Sequence, residues 1–330
     1  MNIAIIGGSI TEGAGATSYE KSYVYKLEQY LKDKYRELNL LNLGAGGTAS
    51  NFALFRLKRD LGNFKPDIIF VEFAVNDRNY KSMDITIYFE GLIRECSKYT
   101  DKIVIIDMPT GMCDACTSIH KKIAYFYNIP IIDVQDVVWR KIGNRETTWT
   151  KISIDSIHPN DNGHELYYQI IKEELGNIDF KEIKIKIDCR VISKYKFMNP
   201  ILIEHDDKQI EYYGSWSEET YNLNDKFKYC AVSYNVDNIV VFKFKGKHLA
   251  MMNLLSRDGG KLLCELDEKY RFYIDLFRDS DAYFDTTINL SNLDNTQHTL
   301  TIVIDKEKNP KSTGDKVVIG GFLIDLGNKV

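Results

Sequence analysis

Five short apolar, β-branched runs, at 2–6, 39–43, 67–73, 102–108 and 129–134, punctuate the first half of the chain, and between them apolar residues recur at helical spacing. Alternation of that kind predicts a parallel sheet with crossover helices. Runs such as Ile68-Ile69-Phe70-Val71 lack the polar alternation of a half-exposed strand, so the sheet is expected to be covered on both faces. In the first intervening segment Thr17-Ser18-Tyr19-Glu20 fits a capping box. Val24, Leu27, Leu31 and Tyr35 then share one face while Lys26, Lys32 and Lys34 point away, which predicts a helix over 18–36. Residues 1–180 read as a three-layer α/β/α, doubly wound domain on a five-stranded parallel sheet, flavodoxin-like in plan.

Past residue 185 helical periodicity fades. Short runs rich in Tyr, Phe, Val and Ile appear, such as Ile239–Phe244, Tyr270–Ile274, His298–Ile304 and Lys316–Ile319, with turns such as Asp258-Gly259-Gly260 between them. Residues 185–330 therefore read as an all-β antiparallel sandwich, jelly-roll-like. The seam is expected within Gly176 to Asp188, where the helix after Pro159 stops at Gly176 and a Lys-rich strand begins.

At 330 residues the chain is long enough for two cores, and 44% hydrophobic with 27% charged residues is ordinary for a globular protein. No apolar stretch approaches the roughly 20 residues of a membrane helix. A formal net charge of −4 provides no basic footprint, so nucleic acid and anionic membranes are not the expected partners and an uncharged substrate is. The sequence enters a strand at once, without a basic start and apolar leader, which points to the cytoplasm unless a leader has been removed. Six scattered cysteines do not form a disulfide framework, and reduced thiols are expected.

In an open parallel sheet ligands bind beyond the carboxyl ends of the strands. Ser9 follows the first strand, Asn42-Leu43-Gly44-Ala45-Gly46-Gly47 the second, and Ala74-Val75-Asn76-Asp77 the third; Asp155 and His158 lie in the loop after the fifth strand and its helix. A serine hydroxyl needs a base within hydrogen-bond reach, and an imidazole suits that role near neutral pH. His158 is the candidate base for Ser9, and Asp155, three residues earlier, is the candidate partner for its other ring nitrogen. A developing oxyanion needs rigid donors, for which the Ser9 and Gly44 backbone N–H groups and the Asn76 amide are the candidates.

These blocks resemble the SGNH hydrolase superfamily, also called GDSL-like esterases and lipases. They stand in the family's order as Gly8-Ser9-Ile10-Thr11, Asn42-x-Gly44, Val75-Asn76-Asp77 and Asp155-x-x-His158-Pro159. The resemblance covers the first half of the chain. It implies Ser9 as nucleophile, Gly44 and Asn76 as oxyanion donors, and Asp155 and His158 as the rest of a triad, with no cofactor and no metal. Two positions depart from the pattern: Gly8 stands where the family carries Asp, and Ala74 where it carries Gly. Two-domain members with a jelly-roll module resemble carbohydrate acetylesterases, which implies removal of a small acyl group, acetyl first, from a sugar hydroxyl. The competing functions are an O-acetyltransferase on a glycan or capsule precursor, with the same triad, and a non-catalytic glycan-binding protein on a vestigial scaffold.

Each block alone has a plainer reading: Ser9 as a turn serine, Asn76-Asp77 as a helix cap, His158-Pro159 as a helix start. Their joint order at successive strand ends favours the site. The glycines from Gly7 to Gly15 match neither a P-loop nor a dinucleotide fingerprint. Cys113-Asp114-Ala115-Cys116 lacks a second pair for zinc and reads as loop thiols, and His164 as a residue packed on the last helix. Trp149 is a candidate sugar-stacking residue or a loop anchor, and Arg78 a candidate substrate contact or a partner of a nearby carboxylate. Tyr212, Tyr213 and Trp216 form either a carbohydrate platform or part of the sandwich core.

Overall fold

All five apolar runs of the first half become parallel strands. In chain order they are β1 (Asn2–Gly7), β2 (Asn39–Gly44), β3 (Ile68–Glu72), β4 (Ile103–Asp107) and β5 (Ile131–Asp133), arranged β2-β1-β3-β4-β5. The chain leaves β1 for β2 on one side and returns to β3 on the other, so strand order reverses beside β1, where an α/β sheet opens a crevice. Helices α1 (Ser9–Glu12), α2 (Tyr23–Lys34), α3 (Ser50–Leu61), α4 (Ala74–Asp77), α5 (Ser82–Cys96), α6 (Thr117–Tyr127), α7 (Val134–Gly143), α8 (Trp149–Ile152) and α9 (Asp161–Gly176) fill the connections. The computed structural model describes residues 1–187, 190–221 and 226–327, and it divides into the units Met1–Lys196 and Phe197–Val330.

Why the strands are apolar without alternation is visible in their side chains. Ile3 and Ile5 of β1, with Phe70, Val104 and Ile106, join a core with Val24, Leu27 and Leu31 of α2 and Tyr167, Ile170 and Ile171 of α9. Phe52 and Phe55 of α3 and Phe89 and Leu92 of α5, two helices that pack together, are buried as well. Fully burying one such side chain contributes about 1.5–3 kcal/mol.

Helix α2 starts later than the capping box suggests. Residues Tyr19–Lys21 form a 3₁₀ turn, and Ser22 is the N-cap, its Oγ accepting from the Tyr25 N–H at 3.2 Å. Thr17 is taken elsewhere: its N–H and its hydroxyl both donate to Asp161, at 2.8 Å each. A tertiary contact with α9 has overridden a local cap.

The first unit also runs further than Gly176. No strand forms over 181–187; instead Phe180 and Ile183 join the core, and the Lys186 N–H donates to the Tyr127 carbonyl at 2.9 Å. The N–H groups of Ile192 and Ser193 then donate to the two oxygens of buried Glu90, at 2.7 Å each, which holds this tail to the first unit up to Lys196. Asp188 and Cys189, at the expected seam, lie outside the described residues. The other five cysteines are free thiols.

In the second unit, β6 (Pro200–Glu204), β7 (Ile210–Tyr213), β8 (Ser217–Thr220), β9 (Tyr229–Ser233), β10 (Ile239–Lys245), β11 (His248–Leu255), β12 (Lys261–Leu266), β13 (Tyr270–Asp275), β14 (Tyr283–Ser291), β15 (Gln297–Ile304) and β16 (Val317–Asp325) build two antiparallel sheets. One has the order β13-β12-β15-β10-β7 and the other β14-β11-β16-β9-β8, with β6 also paired to β16. Alternation on β10 buries Val240, Phe242 and Phe244 and turns Lys243 and Lys245 outward. Phe242 stacks on Phe322 of the facing sheet at 4.2 Å. Tyr212 and Trp216 pack against this core, and only Tyr213 of the three aromatic candidates is exposed.

His248 on β11 is fully buried beside Ser291 Oγ at 3.0 Å, and burial pushes its pKa down to about 3. The unfolded chain therefore takes up a proton near pH 6.5 that the folded one refuses until about pH 3, so stability falls as pH drops through that window. Thermal melting from pH 7 to pH 3.5 is expected to show a steeper loss for wild type than for His248→Gln.

Candidate active site

The nucleophile turn is built by crowding. Register places Gly7 at the end of β1 opposite Gly44 of β2 and Glu72 of β3. A Cβ on Gly44 would sit 2.2 Å from the Glu12 N, so only glycine lets β2 lie this close to α1. Beneath the turn, buried Arg56 donates to the carbonyls of Leu43 at 2.8 Å and Gly7 at 3.3 Å. Buried Glu72 accepts from the Thr11 hydroxyl at 2.8 Å and the Gly8 N–H at 3.4 Å. Burial pushes the Glu72 carboxyl up to about 7, with Thr11 and Gly8 opposing the shift.

Above this floor Ser9 opens α1. Its Oγ lies 3.0 Å from His158 Nε2, and His158 Nδ1 lies 2.8 Å from Asp155 Oδ2. The Nδ1–H thus donates to the carboxylate and Nε2 accepts the Ser9 proton, which is the tautomer a general base needs. Asp155 Oδ1 accepts from the N–H groups of Ile157 and His158, at 2.6 Å each. Partial burial pushes the Asp155 carboxyl up, but these hydrogen bonds, His158 foremost, outweigh it and hold it below the usual carboxylate range.

The loop carrying this pair is anchored at several points. The Trp149 indole N–H donates to the Asp155 carbonyl at 2.7 Å and its ring stacks on Trp139 at 6.4 Å. The Gly111 N–H donates to the Ser156 carbonyl at 2.8 Å. Gly15, at φ +89°, lets its own loop press on the other side, since a Cβ there would lie 2.1 Å from the Pro159 carbonyl oxygen. His164 is buried on α9: its Nδ1 accepts from the Tyr23 N–H at 3.2 Å and its Nε2–H donates to the Ala14 carbonyl at 3.1 Å. Burial pushes the His164 pKa down.

Of the expected oxyanion donors, two lie at the nucleophile turn. The Ser9 N–H has no acceptor among the described residues, and the Asn76 amide lies against Gly8, where its Oδ1 would be 3.0 Å and its Nδ2 3.3 Å from a Cβ on that glycine. Gly44 differs from expectation. Its N–H donates to Asn42 Oδ1 at 2.9 Å, and so is already spent. Ala74 is outside the positive-φ region, which is why alanine is tolerated where the family pattern has glycine.

The polar groups of both candidate substrate contacts make contacts within the first unit. Trp149 is the loop anchor described above. Arg78 donates to the Val75 carbonyl and lies 3.6 Å from Asp114. Cys113 is exposed and Cys116 partly buried on the neighbouring loop. Sequence reasoning missed Glu72, Arg56, Asp107 and His120; the available signal was a charged residue closing an otherwise apolar strand, as in Ile68-Ile69-Phe70-Val71-Glu72 and Ile103-Val104-Ile105-Ile106-Asp107. Among the described residues no helix is long and apolar enough to cross a membrane, and no cluster of His, Cys, Asp and Glu is arranged to hold a metal.

A hydroxyl relayed through an imidazole to a carboxylate attacks acyl carbonyls, and the chain is a serine hydrolase acting on ester bonds. More narrowly, the model of the GDSL-like lipase/acylhydrolase family matches residues 5–166, within the first unit. Over all of this chain and 92% of the other, it is similar in fold to a two-domain esterase (CEX) active on acetylated mannans and co-crystallised with mannopentaose, at 21% identity and TM-score 0.85. A second crystal structure of that two-domain esterase aligns at 21% identity over 98% of this chain and 90% of that one, with TM-score 0.84. An acetylxylan esterase from Geobacillus stearothermophilus aligns with 54% of this chain and 95% of its own, at 20% identity and TM-score 0.45. No curated protein matches the chain.

Trp149→Phe keeps the stack on Trp139 and removes the bond to the Asp155 carbonyl. A lost hydrogen bond of about 1 kcal/mol corresponds to a kcat reduced roughly five- to tenfold with KM unchanged, measurable by steady-state hydrolysis of a chromogenic acetate.

Proposed function

We propose that this chain hydrolyses small acyl esters, acetyl first, on hydroxyls of a carbohydrate through an acyl-Ser9 intermediate. The observation that carries the chemistry is the unbroken run from Ser9 Oγ through both nitrogens of His158 to Asp155. The Ser9 oxygen attacks the acetyl carbon as its proton passes to His158 Nε2, and the carbonyl oxygen takes the negative charge facing the Ser9 N–H and the Asn76 amide. Collapse breaks the ester bond, the sugar oxygen leaving with the proton from His158. Water then attacks the acyl-enzyme, giving its proton to the same nitrogen, and acetate departs as Ser9 regains its hydrogen.

The carbohydrate half of the reading is supported by the likeness, over the full chain, to a two-domain esterase active on acetylated mannans, and by the uncharged acceptor that the modest net charge favours. No residue of the second unit is needed for the bond-breaking steps.

Acetate release from acetylated manno- and xylo-oligosaccharides, run beside a series of p-nitrophenyl esters, tests the proposal. Activity is expected to be highest on acetyl and to fall with chain length, to drop by several orders of magnitude in Ser9→Ala and His158→Ala, and by about 10²–10³ in kcat for Asn76→Ala. Near wild-type turnover in His158→Ala would overturn the base assignment, and acetyl transfer to an added glycan outpacing release to water would make the chain a transferase.

A further inference from the structure

We infer that His120, fully buried, is a positioning residue that holds the oxyanion donor Asn76 in place through Asp77. The inference rests on the triad reading above, and its geometry is independent of the sugar.

Asn76 stands on α4, a single turn of four residues that cannot fix its own orientation. Three elements converge on that turn. The carboxylate of Asp77, the next residue, accepts from the Ser50 N–H at the start of α3 at 2.9 Å and lies 3.1 Å from His120 Nε2. His120 Nδ1 lies 2.8 Å from Asp107 Oδ1 at the end of β4. The Cys116 N–H, at the cap of α6, donates to the Ala74 carbonyl at 2.8 Å. Phe89 of α5 stacks flat on the imidazole at 3.6 Å.

Such an arrangement is costly if packing alone is needed. Asp77, Asp107 and His120 are all buried, and Asp107 Oδ2 is buried with no hydrogen-bond partner. Taking three ionisable groups out of water has a desolvation penalty that an apolar residue stacked on Phe89 would avoid. What the apolar residue would not supply is two directed hydrogen bonds that tie the end of β4 to the residue beside Asn76. Burial disfavours charge on His120, but Asp107 and then Asp77 outweigh it and hold its pKa at about 9, so the ring donates to both carboxylates at neutral pH. A donor is useful only where the oxyanion forms, and losing a well-placed one lowers kcat by about 10²–10³. Holding the turn still is therefore an effect on kcat.

The test is a double-mutant cycle on acetate-ester hydrolysis, with melting curves to confirm folding. His120→Gln is expected to lower kcat at least tenfold with KM within twofold, and Asp107→Asn to lower it in the same direction. In an Asn76→Ala background either change is expected to cost less than a further twofold, because the group they position is gone. Equal losses with and without Asn76, or a loss confined to KM, would overturn the inference. Should His120→Gln not fold, the Asp107→Asn cycle decides alone. Ser9→Ala run alongside separates the two readings: an active Ser9→Ala sinks the triad, whereas an inactive one with additive cycles sinks only the role of His120.

Discussion

Everything in the first unit is arranged around a 3.0 Å contact between two atoms 149 residues apart, Ser9 Oγ and His158 Nε2. Closing so long a loop is entropically unfavourable, and a single hydrogen bond does not offset it. The contact persists because each side is fastened separately. Below the serine, Arg56 holds the carbonyls that end β1 and β2 while Glu72 holds the Gly8 N–H and Thr11. Around the histidine, Trp149 and Gly111 fasten the loop, and Asp161 reaches across to Thr17 and Lys21 on the segment that follows α1.

The elements that make this possible were legible to different degrees. The five strands are readable because burial on both faces demands unbroken β-branched runs, and the triad because acyl transfer demands those residue types at strand ends. The start of α2 was not, since Thr17 satisfies a local rule and a distant carboxylate at once, and the distant one prevails. Nor was the fate of the Gly44 N–H, which depends on how the Asn42 side chain folds back two residues on. The end of the first unit was misread because its last segment is fastened by side-chain acceptors such as Glu90, which leave no periodic trace.

The least legible part is the polar floor. Glu72 and Asp107 sit at the carboxyl ends of apolar strands, where a charged residue ordinarily signals a loop reaching solvent, yet both are buried. They are intelligible only when the strands stand side by side and the acidic ends line up beneath the crevice with Asp77, Arg56 and His120. Unfavourable burial of ionisable groups gathered at the carboxyl end of a sheet is what a site held ready for chemistry requires.

The clasp made by His164 has a further meaning. It joins α9 to the start of α2 only as an uncharged ring, because Nδ1 must offer a lone pair to the Tyr23 amide while Nε2 gives its hydrogen to Ala14. An added proton would turn that lone pair into a second donor facing a donor. Acid would thus loosen α9, whose start follows the loop that carries His158, from the segments around Ala14 and Tyr23 that come after the nucleophile turn.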